Sequence, residues 1–133
     1  MVSIVTYSRP ETILVEAYGP GRPGRPTQQI RTLAVNAAAA SGMKTIKATS
    51  GKGSTVSASV GNKTTVHSTG KAMDVTGFKT EQQRLSFIEN SVAGGATGVG
   101  TYSDGSVHID NRRAGQPGDR VSTWRNTNTG PMT

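Results

Sequence analysis

The chain has 133 residues, enough for one domain with a single modest core. It contains no cysteine, which excludes a disulfide framework, a thiolate metal site and a cysteine nucleophile. A formal net charge of +7 favours anionic partners, such as nucleic acid, anionic lipid or the phosphates and carboxylates of a cell envelope, and no apolar run approaches the ~20 residues of a membrane span.

In chain order, Met1 to Pro10 shows no basic region followed by a long apolar stretch, so no signal peptide is expected there. Ile13 to Tyr18 reads as a short strand. Gly19 to Pro26 carries three prolines and three glycines and cannot be helix, so residues 1–26 read as an extension with a Pro/Gly-rich linker. Thr27 is a good N-cap for an alanine-rich amphipathic helix with Ile30, Leu33 and Ala37 on its apolar face, ended by Ser41-Gly42. Lys44 to Thr49 alternates and predicts a strand. Residues 50–66, rich in Ser, Thr and Gly, predict a long, partly ordered loop of the kind that often carries function.

Ala72 to Val75 predicts another short strand. Thr80-Glu-Gln-Gln83 has a capping-box pattern and opens a second helix, with Leu85, Phe87, Ile88 and Val92 expected on its buried face and Gly94-Gly95 at its end. Gly98 to Asp110 predicts a hairpin around a two-residue Asp104-Gly105 turn. Residues 126–133 are polar and read as a flexible tail. The expected architecture is α+β, a small mainly antiparallel sheet with two helices, and the domain proper is expected over 27–125.

The chemistry concentrates in two segments, which hold both histidines of the chain. His67-Ser-Thr-Gly70-Lys-Ala72-Met-Asp74 sets an imidazole and a carboxylate seven positions apart, and His108 follows in Val107-His-Ile-Asp110. Two imidazoles and one carboxylate make a three-ligand set with an open fourth position, the pattern of a catalytic zinc site. Gly70 allows a sharp backbone turn and Ala72 leaves room beside a metal. Strand alternation puts Ser106, His108 and Asp110 on one face, with Val107 and Ile109 facing the core.

The first segment resembles the HxxGxAxD signature of the D-alanyl-D-alanine carboxypeptidase-like metallopeptidases, peptidoglycan peptidases that share their fold with the Hedgehog signalling domain. The resemblance implies Zn2+ held by His67, Asp74 and His108, and hydrolysis of amide bonds in peptidoglycan stem peptides or cross-links. Asp110 and Asp104 are the candidate general bases; Asp110 has a second reading as the carboxylate that orients His108, and Asp104 as a turn former. The family's Ser-Gly-Tyr-Arg-Ser-like segment corresponds to Thr49-Ser-Gly-Lys52-Gly53-Ser54, where Gly53 replaces the arginine that helps stabilise the oxyanion and Lys52 stands beside it as a point charge. Tyr102, Trp124, Ser68 and Arg120 are candidate substrate contacts, with partial core burial the other reading for Tyr102 and Trp124. Small size and the missing leader suit a phage lytic or virion-associated enzyme acting at the bacterial cell wall or periplasm, with residues 1–26 docking onto virion or tail proteins. The alternative is a zinc-containing binding or structural module that has lost hydrolysis. Specific nucleic-acid binding is not expected, because no nucleic-acid motif is present and aromatics make up only 5% of the chain.

Overall fold

The computed structural model describes residues 11–19, 22–52, 59–60, 63–64, 70–111, 122–126 and 131–132. The elements run β1 (Ile13–Glu16), α1 (Gln28–Ala40), β2 (Thr45–Ser50), β3 (Ser59–Val60), β4 (Lys63–Thr64), β5 (Ala72–Thr76), α2 (Glu81–Ala93), β6 (Gly98–Tyr102), β7 (Val107–Asp110), β8 (Ser122–Asn126) and β9 (Pro131–Met132). Local signals set the helix ends. The Thr27 hydroxyl accepts from the Ile30 amide, and the Thr80 hydroxyl accepts from the Gln83 amide at 3.0 Å. Gln83 reaches back to accept from the Lys79 amide at 2.9 Å, so two donors at the start of α2 are satisfied reciprocally.

Seven strands form one sheet in the order β1-β2-β5-β7-β6-β8-β9, and β3 and β4 pair separately. The fold is α+β with two helices, but the sheet is mixed where a mainly antiparallel one is expected. β1 runs parallel to β2, and β6 runs parallel to β8; the other neighbours are antiparallel. The first parallel pair follows from connectivity. β1, α1 and β2 form a strand–helix–strand crossover, which returns the chain in the same direction.

That crossover also corrects the expected domain limits. Residues 13–16 are an edge strand of the sheet, and Gly24 pairs with Lys52, so the segment expected to be an extension and linker is joined to the domain by main-chain hydrogen bonds. At the other end, Pro131 and Met132 of the expected tail pair with Asn126 and Arg125. The hairpin turn is one residue longer than expected. The Gly105 amide donates to the Tyr102 carbonyl, the Tyr102 amide donates to Ser106, and Gly105 takes φ 93°, the left-handed residue that ends a three-residue loop.

The core lies between the helices and one sheet face. Ile30, Ala34, Ala37 and Ala38 of α1 and Phe87 of α2 pack on Ile46, Ala48, Met73, Val75, Val99, Val107 and Ile109. Alanines let α1 approach closely, and each fully buried large side chain such as Phe87 or Ile46 contributes roughly 1.5–3 kcal/mol. The buried stripe of α2 is narrower than expected. Phe87 and Ser91 are buried and Ile88 packs partly, whereas Leu85 is 51% exposed and Val92 is also exposed. Residues 85 and 87 stand about 200° apart on a helix, so they cannot share a face. Among the described residues no helix is long and apolar enough to cross a membrane.

Candidate metal centre

Alternation sends Met73, Val75, Val107 and Ile109 into the core, so Ala72, Asp74, His108 and Asp110 face the other side of the sheet. Asp74 and His108 are direct cross-strand partners on β5 and β7, and Gly100 of β6 stands opposite His108 on its other flank. On β2 the register shifts between Ala48 and Ser50, so Ala48 stays in the core while Ser50 pairs with Asp74. The Thr49 hydroxyl at that bulge donates to the Asp74 carbonyl. All three site side chains are buried.

The imidazole of His108 is held at both nitrogens. Nε2 lies 2.7 Å from Asp110 Oδ2, and Nδ1 lies 3.1 Å from Asp74 Oδ1. Burial by itself would lower the His108 pKa, but the hydrogen bonds and charges of Asp110 and Asp74 outweigh it and the net shift is upward. With the short Nε2–H bond committed to Asp110, Nδ1 is aimed at a carboxylate oxygen. Two such acceptors stand this close only with a proton or a cation to reconcile them. A proton on Nδ1 does so here; in its place a metal ion could be held by His108 Nδ1 and Asp74, which are a nitrogen and an oxygen donor of the kind zinc takes. Asp110 on the far nitrogen has the position of a carboxylate that fixes a ligating histidine.

Asp110 is therefore poorly suited to be the general base. It has no solvent exposure, it bonds to His108, and it lies against β6. A Cβ on Gly98 would overlap its carboxylate, which is why the strand opposite carries glycine there. Asp104 is exposed on the hairpin loop. Its Oδ1 accepts from the Ser106 hydroxyl at 2.6 Å and the Ser106 amide at 2.9 Å, and these bonds hold its carboxyl below the usual range. It is a turn former, yet near enough to Asp74 for their charges to repel.

Tyr102 lines the site rather than the core. Its hydroxyl donates to Asp74 Oδ1 at 3.2 Å, and burial together with the Asp74 charge pushes its pKa up, so the phenol stays protonated. Gly70, the glycine of the first segment, adopts φ 78°, and its carbonyl accepts from the Thr27 amide at 2.8 Å, tying the start of β5 to the start of α1. Lys52 is exposed; its backbone pairs with Gly24 and its stem passes beside Gly70. Trp124 stands opposite Gly100 on β8. His67, Ser68, Gly53 and Arg120 lie outside the described residues.

Arg22 is the site residue that sequence reasoning misses. Its Nη1 lies 3.5 Å from Asp74 Oδ2. Nothing local marks it, because it sits in a Pro/Gly/Arg run and reaches Asp74 only through long-range pairing.

Among the described residues, no three His, Asp or Glu side chains are grouped so as to hold a metal ion. The geometry explains this: Asp74 and Asp110 flank opposite nitrogens of one ring and cannot converge on a single ion. The described residues thus offer two donors, Asp74 and His108 Nδ1. No family model, curated protein or solved structure matches the chain.

Proposed function

We propose that this domain is a zinc-dependent hydrolase of amide bonds in peptidoglycan stem peptides or cross-links, of the D-alanyl-D-alanine carboxypeptidase-like type. The observation that carries the reading is the Asp74–His108–Asp110 row, with His108 Nδ1 beside Asp74 and Nε2 bound to Asp110. His67 of the HxxGxAxD segment is the third ligand in this reading, beside Asp74 and His108. Zinc held there would supply Lewis acidity toward the scissile carbonyl and toward water.

The chain's own residues divide the remaining work. Asp110 fixes the ring and tautomer of His108. Tyr102 donates to Asp74 and keeps its carboxylate oriented. Asp104, a turn former whose second carboxylate oxygen is not used by Ser106, is the remaining candidate to take a proton from water and return it to the leaving nitrogen, and it would do so as a weak base. The net reaction forms a carbon–oxygen bond from water, breaks the carbon–nitrogen bond, and moves one water proton to the released amine. The +7 charge suits an anionic envelope substrate.

The test is metal content together with turnover on purified peptidoglycan, for wild type and His108→Ala. About one zinc per chain, with muropeptide release abolished by the substitution and by chelation, is the expected result. Zinc without turnover on several wall chemistries would instead identify a binding module, and absence of bound metal would defeat both.

A further inference from the structure

Where β2 begins and β5 finishes, the fold encloses a cavity of about 160 Å³ that shares no lining residue with the metal centre. Its charged lining consists of Lys44, Lys47 and Lys79, and among the described residues no carboxylate lines it. The three lysines come from two parts of the chain. Lys44 stands just before β2 and Lys47 lies within it, while Lys79 follows β5. Between β5 and Lys79, Gly77 takes φ 113° and turns the chain against β2. The approach is close: a Cβ on Gly77 would touch the Thr45 carbonyl oxygen at 3.5 Å and the Lys47 amide nitrogen at 3.6 Å.

Exposed lysines are ordinary in a chain of net charge +7; these differ in surrounding one space without a counter-ion. Other cations of the fold are already paired: Arg25 and Arg31 with Glu16, and Arg84 with Glu81. Glu81 is the acid nearest Lys79 in sequence, and Arg84 holds it at 2.9 Å. Among the described residues, no side-chain partner neutralises Lys44, Lys47 or Lys79. Gln83 adds a neutral donor to the same lining. Its Oε1 accepts from the Lys79 amide at 2.9 Å, which fixes the orientation of the side-chain amide and leaves the Nε2 hydrogens to give. The charged and amide side chains around this space therefore offer positive charge and donors, and an anion completes the set.

We propose that this cavity binds a phosphoryl group, as free phosphate or as the phosphate of a small monoester, with Lys44, Lys47 and Lys79 supplying charge and Gln83 Nε2 a hydrogen bond. A phosphoryl group carries about −1.5 to −2 charge at neutral pH and three acceptor oxygens. A carboxylate has less charge and fewer acceptors for the same set of donors. Ammonium groups are compact point charges on flexible stems, so three of them can close on a tetrahedral anion from different sides. The site is independent of the hydrolase reading and needs no zinc.

The test is a chemical-shift titration of the full chain with inorganic phosphate, glycerol 3-phosphate and acetate, at constant pH and ionic strength. It compares wild type, Lys79→Gln, the double variant Lys44→Gln/Lys47→Gln, and Lys63→Gln, which removes one charge on the separate β3–β4 pair. Phosphate should shift the amides of residues 43–47 and 77–79 saturably, with a Kd of about 1 mM or tighter, and acetate should bind at least about tenfold more weakly. Lys79→Gln should weaken phosphate binding about five- to tenfold and the double variant by more, while Lys63→Gln keeps wild-type affinity. All the cavity variants should unfold at the wild-type temperature, because the substituted lysines are exposed. Tighter binding of glycerol 3-phosphate upholds the site and assigns it to an ester; tighter binding of inorganic phosphate upholds it and assigns it to the free ion. Three results overturn the proposal: no saturable shift in the wild type, acetate binding as tightly as phosphate, or an equal loss in Lys63→Gln and Lys79→Gln, which would mean diffuse attraction to the basic surface.

Discussion

Replacing Gly98 by alanine puts the site geometry to a test in which the sign of the effect decides. Glycine inside a strand is intrinsically unfavourable, so in open space Gly98→Ala would stabilise by about 0.5–1 kcal/mol. Here the new methyl would overlap both carboxylate oxygens of Asp110, a buried group on the paired strand. The carboxylate must move, and its 2.7 Å bond to His108 Nε2 is lost with it. A charge-assisted hydrogen bond contributes roughly 1.5–3 kcal/mol, and a buried carboxylate deprived of its partner costs about as much again. The expected destabilisation is about 3 kcal/mol or more, a fall in Tm of more than 10 °C for a domain of this size. On the proposed zinc reading, metal affinity should also drop roughly 10–100-fold, the usual loss when the carboxylate behind a ligating histidine is disturbed. Urea or thermal unfolding and a competitive zinc titration measure the two effects. A double-mutant cycle with Asp110→Ala isolates the contact: once the carboxylate is gone, Gly98→Ala should cost little or stabilise. A single Gly98→Ala variant as stable as wild type, with unchanged zinc affinity, would refute the packing of Asp110 against β6.

The other predictions are simpler. Phe87→Ala should cost about 3–5 kcal/mol in chemical denaturation, while Leu85→Ala, at an exposed position on the same helix, should stay below about 1 kcal/mol. Tyr102→Phe removes one hydrogen bond to Asp74 and, on the proposed zinc reading, should weaken metal binding by several fold, in line with about 1 kcal/mol, while leaving the fold intact by circular dichroism. Asp104→Ala should show a pH signature. The folded-state pKa is depressed by Ser106, so the carboxylate's contribution is present above the unfolded value near ~3.9 and disappears as pH falls through the folded value. The stability gap between wild type and variant should therefore be constant near neutrality and close in acid; a gap that widens on acidification would contradict the Ser106 contacts.

Much of the fold is legible in the chain because its signals are local. Thr27 and Thr80 announce the helices, alternation marks β2, β6 and β7, and Asp104-Gly105 marks the turn. β8 escapes notice because Ser-Thr-Trp-Arg-Asn lacks apolar alternation and acquires its strand character from pairing with β6. The mixed sheet escapes notice for a different reason. The strand–helix–strand order over residues 13–50 carries the parallel signal, but only if Ile13–Glu16 is taken as part of the domain rather than as an extension. Within the site, Asp74 and His108 are found by residue type and spacing. The burial of Asp110 against His108 needs its contact with Gly98, and the approach of Arg22 to Asp74 needs the Gly24–Lys52 bridge, and neither contact is written in a local pattern.

The placement of the site within the sheet divides it into two mechanical parts. Asp74 and His108 sit on β5 and β7, which have neighbours on both sides, so their geometry opens only when the sheet itself opens. Arg22 lies outside the strands, on the segment between β1 and α1, secured by main-chain bonds to Gly19 and Gly51 and, through Arg25, by Glu16. Amide exchange at residues 73–75 and 107–109 should therefore approach the global unfolding limit, while Arg22 and Gly24 exchange through cheaper local openings.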